Sequence, residues 1–118
     1  MQNVKEIGNY AFADCKYLET VILNDGLKTV PYHAFGSCKS LTTLILPDSL
    51  TEIGINAFRD CSSLTEVILP DALTFIGISS FSYCTSLECI EIGNNVVEIE
   101  NYAFNGCTSL TEIRFRGT

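Results

Sequence analysis

Cysteine is the residue of this chain with the most regular spacing. Five of the six cysteines lie 23 residues apart, at Cys15, Cys38, Cys61, Cys84 and Cys107, and Cys89 lies outside that series. A zinc site would need pairs such as Cys-x2-Cys or a nearby histidine. The one histidine, His33, stands apart from Cys38, and no Cys-x2-Cys occurs. The spacing favours a ladder of reduced, buried thiols, with stacked disulfides or a metal as the alternatives.

Acidic residues offer the other possible chemistry. Glu66 and Glu91 are expected on one outer face at a diagonal separation of about 8 Å, which an inverting carboxylate pair could use. An open face supplies no pocket to desolvate them, and Arg114 beside Glu91 would favour the ionised carboxylate over a general acid. The chain has no glycine-rich phosphate loop and no nucleophile elbow. We predict a protein that is not an enzyme and binds no cofactor and no metal.

The charge balance limits the partners. The net charge is −7, and no block of like charges occurs. Nucleic-acid surfaces need clustered Lys and Arg, so we predict no nucleic-acid partner. The chain has no run of about 18 apolar residues, and its first residues lack the basic start and apolar core of a secretion signal. We therefore predict no membrane insertion and no signal peptide in this chain.

The cysteine series is one part of a 23-residue repeat. Phenylalanine and leucine recur with the same period. They occupy Phe12, Phe35, Phe58, Phe81 and Phe104, and Leu18, Leu41, Leu64, Leu87 and Leu110. A fixed period of this size is typical of a solenoid, in which each copy is one coil stacked on its neighbours. We number the copies coils 1 to 5: 4–26, 27–49, 50–72, 73–95 and 96–118. They predict a single domain over 1–118.

Each copy contains two segments that predict extended structure. In coil 3, Val67 and Leu69 alternate with outward residues, which is typical of a strand with one buried face. Because coils stack in one direction, these strands are expected to pair in parallel. Pro70 ends the strand. The return segment, which begins Leu50-x-x-Ile53, predicts a second, shorter extended piece.

A turn connects these two segments. Phe58, Cys61 and Leu64 are spaced at i, i+3 and i+6, which predicts one 3₁₀ or helical turn. The position before it holds Gly54 in coil 3 and Pro31 in coil 2, so it does not require positive φ in every coil. The residues of coil 3 expected to face the interior are Leu50, Ile53, Ala57, Phe58, Cys61, Leu64, Val67 and Leu69.

The outward residues of the longer strands form two columns and are the candidate binding residues. The columns are Thr20, Thr43, Glu66, Cys89 and Glu112, and Ile22, Ile45, Ile68, Glu91 and Arg114. Isoleucines exposed on three adjacent strands predict a contact patch, unless they only reflect the preference of strands for β-branched residues. Glu91 and Arg114 predict a surface ion pair. Cys89 is either a reactive thiol or an inert substitution.

The string Leu-Thr-x-Ile-Gly-x-x-Ala-Phe-x-x-Cys-x-Ser-Leu-Thr-x-Val-x-Leu-Pro, read from coil 3, resembles the BspA-like, or Treponema-type, class of leucine-rich repeats over residues 4–118. The resemblance implies an α/β solenoid. This is a right-handed superhelix with a parallel β-sheet on one face and short 3₁₀/helical turns on the other.

Members of that class are usually secreted or cell-surface proteins of bacteria and some protozoa, associated with adhesion. The resemblance therefore implies a non-catalytic protein-binding segment of an adhesin-like surface or secreted protein, with a host or matrix protein as partner. The alternative is a structural spacer or self-associating module with no specific ligand on the sheet face. Residues 1–3 are too few to cover a coil, and uncapped coils predict end-to-end self-association.

Overall fold

The chain forms a β-solenoid in which short strands stack around one apolar interior. The computed structural model describes residues 4–117, so the predictions that concern residues 1–3 and 118 lie outside the described residues. Nine strands are present in the described part. They are β1 Thr20–Ile22, β2 Thr29–Val30, β3 Thr43–Ile45, β4 Glu52–Ile53, β5 Glu66–Ile68, β6 Phe75–Ile76, β7 Cys89–Ile92, β8 Glu98–Ile99 and β9 Glu112–Phe115.

The strands occupy two sides of the stack, and all pairs are parallel. The even-numbered strands form a continuous back sheet in the order β2-β4-β6-β8. The odd-numbered strands form the front face, which is divided into a pair, β1-β3, and a triplet, β5-β7-β9. The register joins equivalent positions of successive coils, such as Val30 with Ile53 and Val67 with Ile90. The predicted parallel sheet is therefore confirmed, with one interruption.

The turns that connect the back strands to the front strands are not helical, so the predicted 3₁₀/helical turns and the α/β class are wrong. Residues 4–117 contain no helix. In coil 3, Asn56 and Asp60 have φ of 58° and 62°, and this left-handed region interrupts a right-handed helix. The N–H of Phe58 donates to Ser80 O of the next coil at 2.8 Å, whereas the N–H of Ala57 stays within its own coil. A helix would keep all these hydrogen bonds internal.

The predicted interior is confirmed. The eight inward residues of coil 3 have exposed fractions of 0% or 1%. The five phenylalanine rings form one continuous row, with centroid separations of 5.2, 5.5, 5.3 and 5.6 Å and planes within 14° of parallel. Stacking at these separations adds to the burial of each ring. The row shows that equivalent residues lie above one another through the stack.

Glycine is used where the coils approach most closely. Gly54 and Gly77 do not have positive φ, in agreement with the prediction for this position. A Cβ on Gly54 would lie 3.1 Å from the carbonyl carbon of Pro31, and one on Gly77 would lie 2.8 Å from the carbonyl carbon of Gly54. The position therefore favours glycine because the backbone of one coil touches the next.

Candidate functional site

The front face carries all ten candidate residues, but it divides them into two groups. Thr20 pairs with Thr43 and Ile22 with Ile45. The other group joins Glu66, Cys89 and Glu112 in one column and Ile68, Glu91 and Arg114 in the other. The isoleucines are exposed, at 71% for Ile22, 51% for Ile45 and 55% for Ile68. The three lie on successive front strands and are exposed as predicted, but β3 and β5 are not paired, so Ile45 and Ile68 do not belong to one sheet.

We call the interruption between β3 and β5 the front slit. At the first and third coil boundaries the corresponding backbone groups are bonded. Thr42 N–H donates to Glu19 O at 2.9 Å, and Glu88 N–H donates to Thr65 O at 2.9 Å. Thr65 N–H, which occupies the same position of coil 3, makes no such bond to coil 2. One end of the slit is therefore without its cross-coil hydrogen bond.

The other end of the slit also lacks its cross-coil hydrogen bond. Leu23 N–H donates to Ile45 O at 3.0 Å and Leu69 N–H donates to Glu91 O at 2.9 Å, but Leu46 N–H has no partner in coil 3. A groove of about 420 Å³ lies here, lined by residues 42–46 of one edge and by Thr65, Glu66 and Ile68 of the other. Leu46 is half-buried, whereas Leu69, the equivalent residue of coil 3, is fully buried.

The back of the same coil boundary is closed. Gly54 N–H donates to Val30 O at 2.7 Å, and Ser37 N–H donates to Arg59 O at 2.7 Å. The Phe35 and Phe58 rings stack across the boundary at 5.5 Å. The coils therefore remain packed together, and the separation is confined to the front strands.

The predicted ion pair between Glu91 and Arg114 is wrong, although the two residues are neighbours in register. Arg114 instead donates to Glu112 on its own strand, with its Nε 2.7 Å from Oε2 and its Nη2 3.2 Å from Oε1. These two-point hydrogen bonds lower the pKa of Glu112. Arg114 therefore pairs with Glu112, which lies on the same strand and accepts hydrogen bonds with both carboxylate oxygens.

Glu91 is held by a different arginine. Arg116 donates to Glu91 at 3.0 Å, to Asp71 Oδ1 at 2.7 Å and to Leu69 O at 2.6 Å. It therefore crosses coil 4 to reach coil 3. Gly93 makes room for this path, since a Cβ there would lie 3.0 Å from Arg116 Nη2. The side chain joins three coils on the triplet side of the front slit.

The cysteine series is a hydrogen-bonded ladder of free thiols. All six cysteines are free, and Cys38, Cys61 and Cys84 are buried. Each of these three, and Cys107, donates its S–H to the phenylalanine carbonyl of the preceding coil, at Sγ–O distances of 3.1–3.3 Å. Burial raises the pKa of Cys38 to about 11, so the thiol keeps the proton that it donates. The prediction of free, buried thiols is confirmed for Cys38, Cys61 and Cys84, whereas Cys15 and Cys107 are half-buried. The spacing of the cysteines did not predict the hydrogen bond.

Cys89 lies half-buried on the front face between Glu66 and Glu112. Desolvation and, next, the Glu112 carboxylate raise the pKa of its thiol. A reactive cysteine needs a stabilised thiolate, and these surroundings act in the opposite direction. The structure therefore favours the inert alternative for Cys89.

His33 lies in a turn and not on the front face. Its ring is half-buried against Tyr10 at 5.1 Å and Tyr32 at 6.0 Å, and its φ is 54°. Among residues 4–117, no group of three or more His, Cys, Asp or Glu is placed to hold a metal ion. The described part of the chain also has no helix long and apolar enough to cross a bilayer.

The sequence and the fold are similar to those of known repeat proteins. A profile described as BspA type leucine rich repeat region matches residues 1–117 in six copies, whereas the spacing of the phenylalanines gives five. Among curated proteins, none matches the chain.

Three solved structures are similar. A leucine-rich repeat protein from Bacteroides ovatus is 30% identical with a TM-score of 0.77, over 95% of this chain and 35% of that one. A leucine rich cell surface protein from Faecalibacterium prausnitzii is 31% identical with a TM-score of 0.84, over 93% of this chain and 29% of that one. The T. pallidum leucine rich repeat protein is 28% identical with a TM-score of 0.67, over 90% of this chain and 60% of that one.

The chain thus spans about a third of the length of the first two proteins. The profile covers nearly all of the sequence, and the shared fold extends over nearly all of it. The chain belongs to the BspA-type family of leucine-rich repeat proteins.

Proposed function

We propose that this chain is a non-catalytic protein-binding segment of a bacterial cell-surface or secreted, adhesin-like protein, and that it binds a host or matrix protein through its front face. The observation that carries the proposal is the exposure of Ile22, Ile45 and Ile68 on one side of the stack. Exposed apolar side chains that are held in rows on a rigid sheet suit a protein contact.

A cell-surface or secreted location is supported by similarity. The protein from F. prausnitzii that shares this fold is described as a leucine rich cell surface protein. The acidic net charge of −7 suits a protein surface better than a nucleic acid as the partner.

A non-catalytic role is supported by the state of the acidic residues. Glu91, one member of the carboxylate pair considered above, is bonded to Arg116 at 3.0 Å, and Glu112 is bonded to Arg114 at 2.7 Å. An arginine that binds a carboxylate occupies the oxygen that a general acid or base would have to present to a substrate. The remaining front-face carboxylate, Glu66, is exposed.

The size of the face limits the affinity. Five strands at about 4.8 Å spacing give a strip about 20 Å long, and its outline is smaller than the ~800 Å² per partner of a standard interface. We therefore expect weak binding by one copy of this segment and stronger binding by several copies acting together.

The test is a triple variant, Ile22→Thr, Ile45→Thr and Ile68→Thr. The chain would be displayed at high density on beads and exposed to immobilised extracellular-matrix proteins, each tested separately. We expect binding to fall by at least about tenfold, since each exposed isoleucine contributes apolar contact. The melting temperature should change little, because exposed sites tolerate substitution.

The matched control removes the same kind of side chain elsewhere. Ile55→Thr, Ile78→Thr and Val97→Thr alter three exposed branched residues away from the front face, with exposures of 42%, 37% and 85%. This control should bind as the unaltered chain does. Equal binding by the front-face variant and the unaltered chain would refute the proposal.

A structural spacer that self-associates end to end is the second candidate, and apolar surface at coil 5 favours it. Val97 is 85% exposed and Phe115 70% exposed, and both border a groove of about 460 Å³. Sedimentation velocity over a range of concentrations tests this candidate. Association that is abolished by Val97→Lys supports it, and a strict monomer at high concentration contradicts it.

A further inference from the structure

The backbone groups at the front slit are arranged to receive another strand. We propose that the slit binds an extended peptide segment, which inserts between β3 and β5, pairs with both and carries a basic residue opposite Glu66. The inference rests on the proposed function, because it specifies how the front face would recognise a protein.

The first argument is the state of the two strand edges. Leu46 N–H and Thr65 N–H have no backbone partner across the slit, although the same groups are bonded at the neighbouring coil boundaries. Edge strands with free N–H and C=O groups recruit extended segments. In most sheets an edge has one such row, whereas the slit has two rows that face each other. An inserted strand would therefore be paired on both sides, about 4.8 Å from each neighbour.

The second argument is that the space is already open. The groove of about 420 Å³ has both strand edges in its lining, and the back of the boundary is held by the hydrogen bond from Gly54 N–H to Val30 O at 2.7 Å. An occupant therefore does not have to separate the coils at the back. It has only to replace the water that solvates the free backbone groups.

The third argument is the chemistry of the side chains beside the slit. Thr43 and Glu66 stand at one outward position and Ile45 and Ile68 at the next, while Leu44 and Val67 point inward between them. No lysine or arginine lies on β3 or β5. A strand running in the same direction would thus match Glu66 with Lys or Arg, the inward pair with Val, and the isoleucines with another branched residue.

These matches define the occupant as a segment of the pattern Lys-Val-Ile-Leu. A suitable probe is the capped peptide acetyl-Thr-Lys-Val-Ile-Leu-Pro-amide. It follows the strand of coil 3, 65–70, with Lys in place of Glu66. Its control has the same sequence with methylated amide nitrogens at Ile and Leu. That change removes one donor toward each side of the slit and leaves the side chains unaltered.

The test begins with amide hydrogen exchange of the free protein by NMR. Leu46 and Thr65 amides should exchange much faster than their counterparts Leu69 and Glu88, both of which are bonded at 2.9 Å. On addition of the probe, Leu46 and Thr65 should become protected, and the largest shift changes should fall on 42–46 and 65–68. The methylated peptide should bind about tenfold more weakly, because two hydrogen bonds are lost.

A pair of protein variants tests the charge match. Glu66→Gln should weaken binding of the probe several-fold, with the effect reduced at high salt. Glu52→Gln makes the same change of charge on the back strand β4 of the same coil and should leave binding unchanged.

Three results would overturn the inference. They are equal protection of Leu46 and Leu69 in the free protein, equal binding of the methylated peptide, and shift changes confined to the end of coil 5. These outcomes are separable from failure of the proposed function. The matrix-binding test depends on the three isoleucines, whereas the comparison of the two peptides and the exchange of Leu46 and Thr65 depend on backbone groups.

Discussion

The boundary between coils 2 and 3 and the boundary between coils 3 and 4 have the same interior and different fronts. The phenylalanine rings are 5.5 Å apart across the first and 5.3 Å apart across the second. The Sγ–O distances of the cysteine bonds are 3.2 Å and 3.3 Å. Yet β5 pairs with β7 and does not pair with β3.

The comparison shows which interactions hold a coil in place. Apolar packing, the thiol bonds and the back sheet keep coils 2 and 3 together without any front pairing. Front hydrogen bonds exchange for bonds to water when the strands separate, so each contributes little net free energy. Burial of the phenylalanine and leucine columns is lost only if the coils come apart. The front face is therefore free to vary, and the interior is not.

The largest effect is expected for Phe58→Ala, which removes the ring shared by both boundaries. Loss of a buried phenylalanine in a packed core destabilises by about 3–5 kcal/mol. Urea denaturation should show this loss, with the comparison variant Phe12→Ala, whose ring is 44% exposed, losing far less. A similar loss for both would mean that the ring row does not hold the stack.

Glycine to alanine substitutions on the back distinguish the two boundaries. Gly77→Ala places Cβ 2.8 Å from the backbone of coil 3, and overpacking of this kind destabilises by about 1–3 kcal/mol. Gly54→Ala has a closest approach of 3.1 Å to coil 2, at the boundary whose front is open. We expect a smaller loss for Gly54→Ala in thermal melts. The reverse order would contradict the idea that the open boundary is the more yielding one.

Arg116→Gln tests whether this arginine stabilises the packing of the three coils that carry β5, β7 and β9. Its three partners lie in coils 3 and 4, and its side chain is 31% exposed, so we expect a loss of about 1 kcal/mol that decreases at high salt. Arg114→Gln removes an exposed pair within one strand and should cost less. Chemical denaturation at two salt concentrations measures both. Equal losses would show that the contacts between coils add nothing.

The smallest effect is expected for a pair of threonine variants that compares the front slit with the closed boundary between coils 1 and 2. Thr42 donates its hydroxyl to Glu19 O at 3.2 Å. Thr65 has the same position in coil 3, but its N–H makes no bond to coil 2, so we expect its hydroxyl to make none either. Thr42→Val should lose about 0.5 kcal/mol, the lower end of the range for a hydrogen bond. Thr65→Val should leave stability unchanged. A matching loss at Thr65 would indicate that the slit is closed in solution.

Much of this architecture could be predicted because it depends on the repeated interior. Leu50, Phe58 and Leu64 recur in every copy as the same or similar apolar residues, and stacking is the arrangement that buries them all. The turn was harder to predict. Its left-handed positions are held by residues as different as Tyr10, His33, Asn56, Ser79 and Tyr102, and only the hydrogen bonds to the next coil require that conformation.

The front slit could not be predicted. Coil 2 has Thr-Thr-Leu-Ile-Leu where coil 3 has Thr-Glu-Val-Ile-Leu, and nothing in these similar strands indicates that they do not pair. The contacts of Arg116 could not be predicted either, because they depend on the space left by Gly93 and on Asp71, which lies 45 residues away in the sequence. Both features depend on where one coil lies against the next.

The cysteine bonds have a consequence for how such a protein changes over generations. In coils 2 to 5 the thiol of the cysteine series reaches the carbonyl 26 residues earlier, so each of these copies carries its own attachment to the one before it. An in-frame duplication or deletion of one copy in the gene would therefore add or remove a complete coil together with its hydrogen bond to the preceding coil. Length can then be altered by inheritance without any need to redesign the junctions.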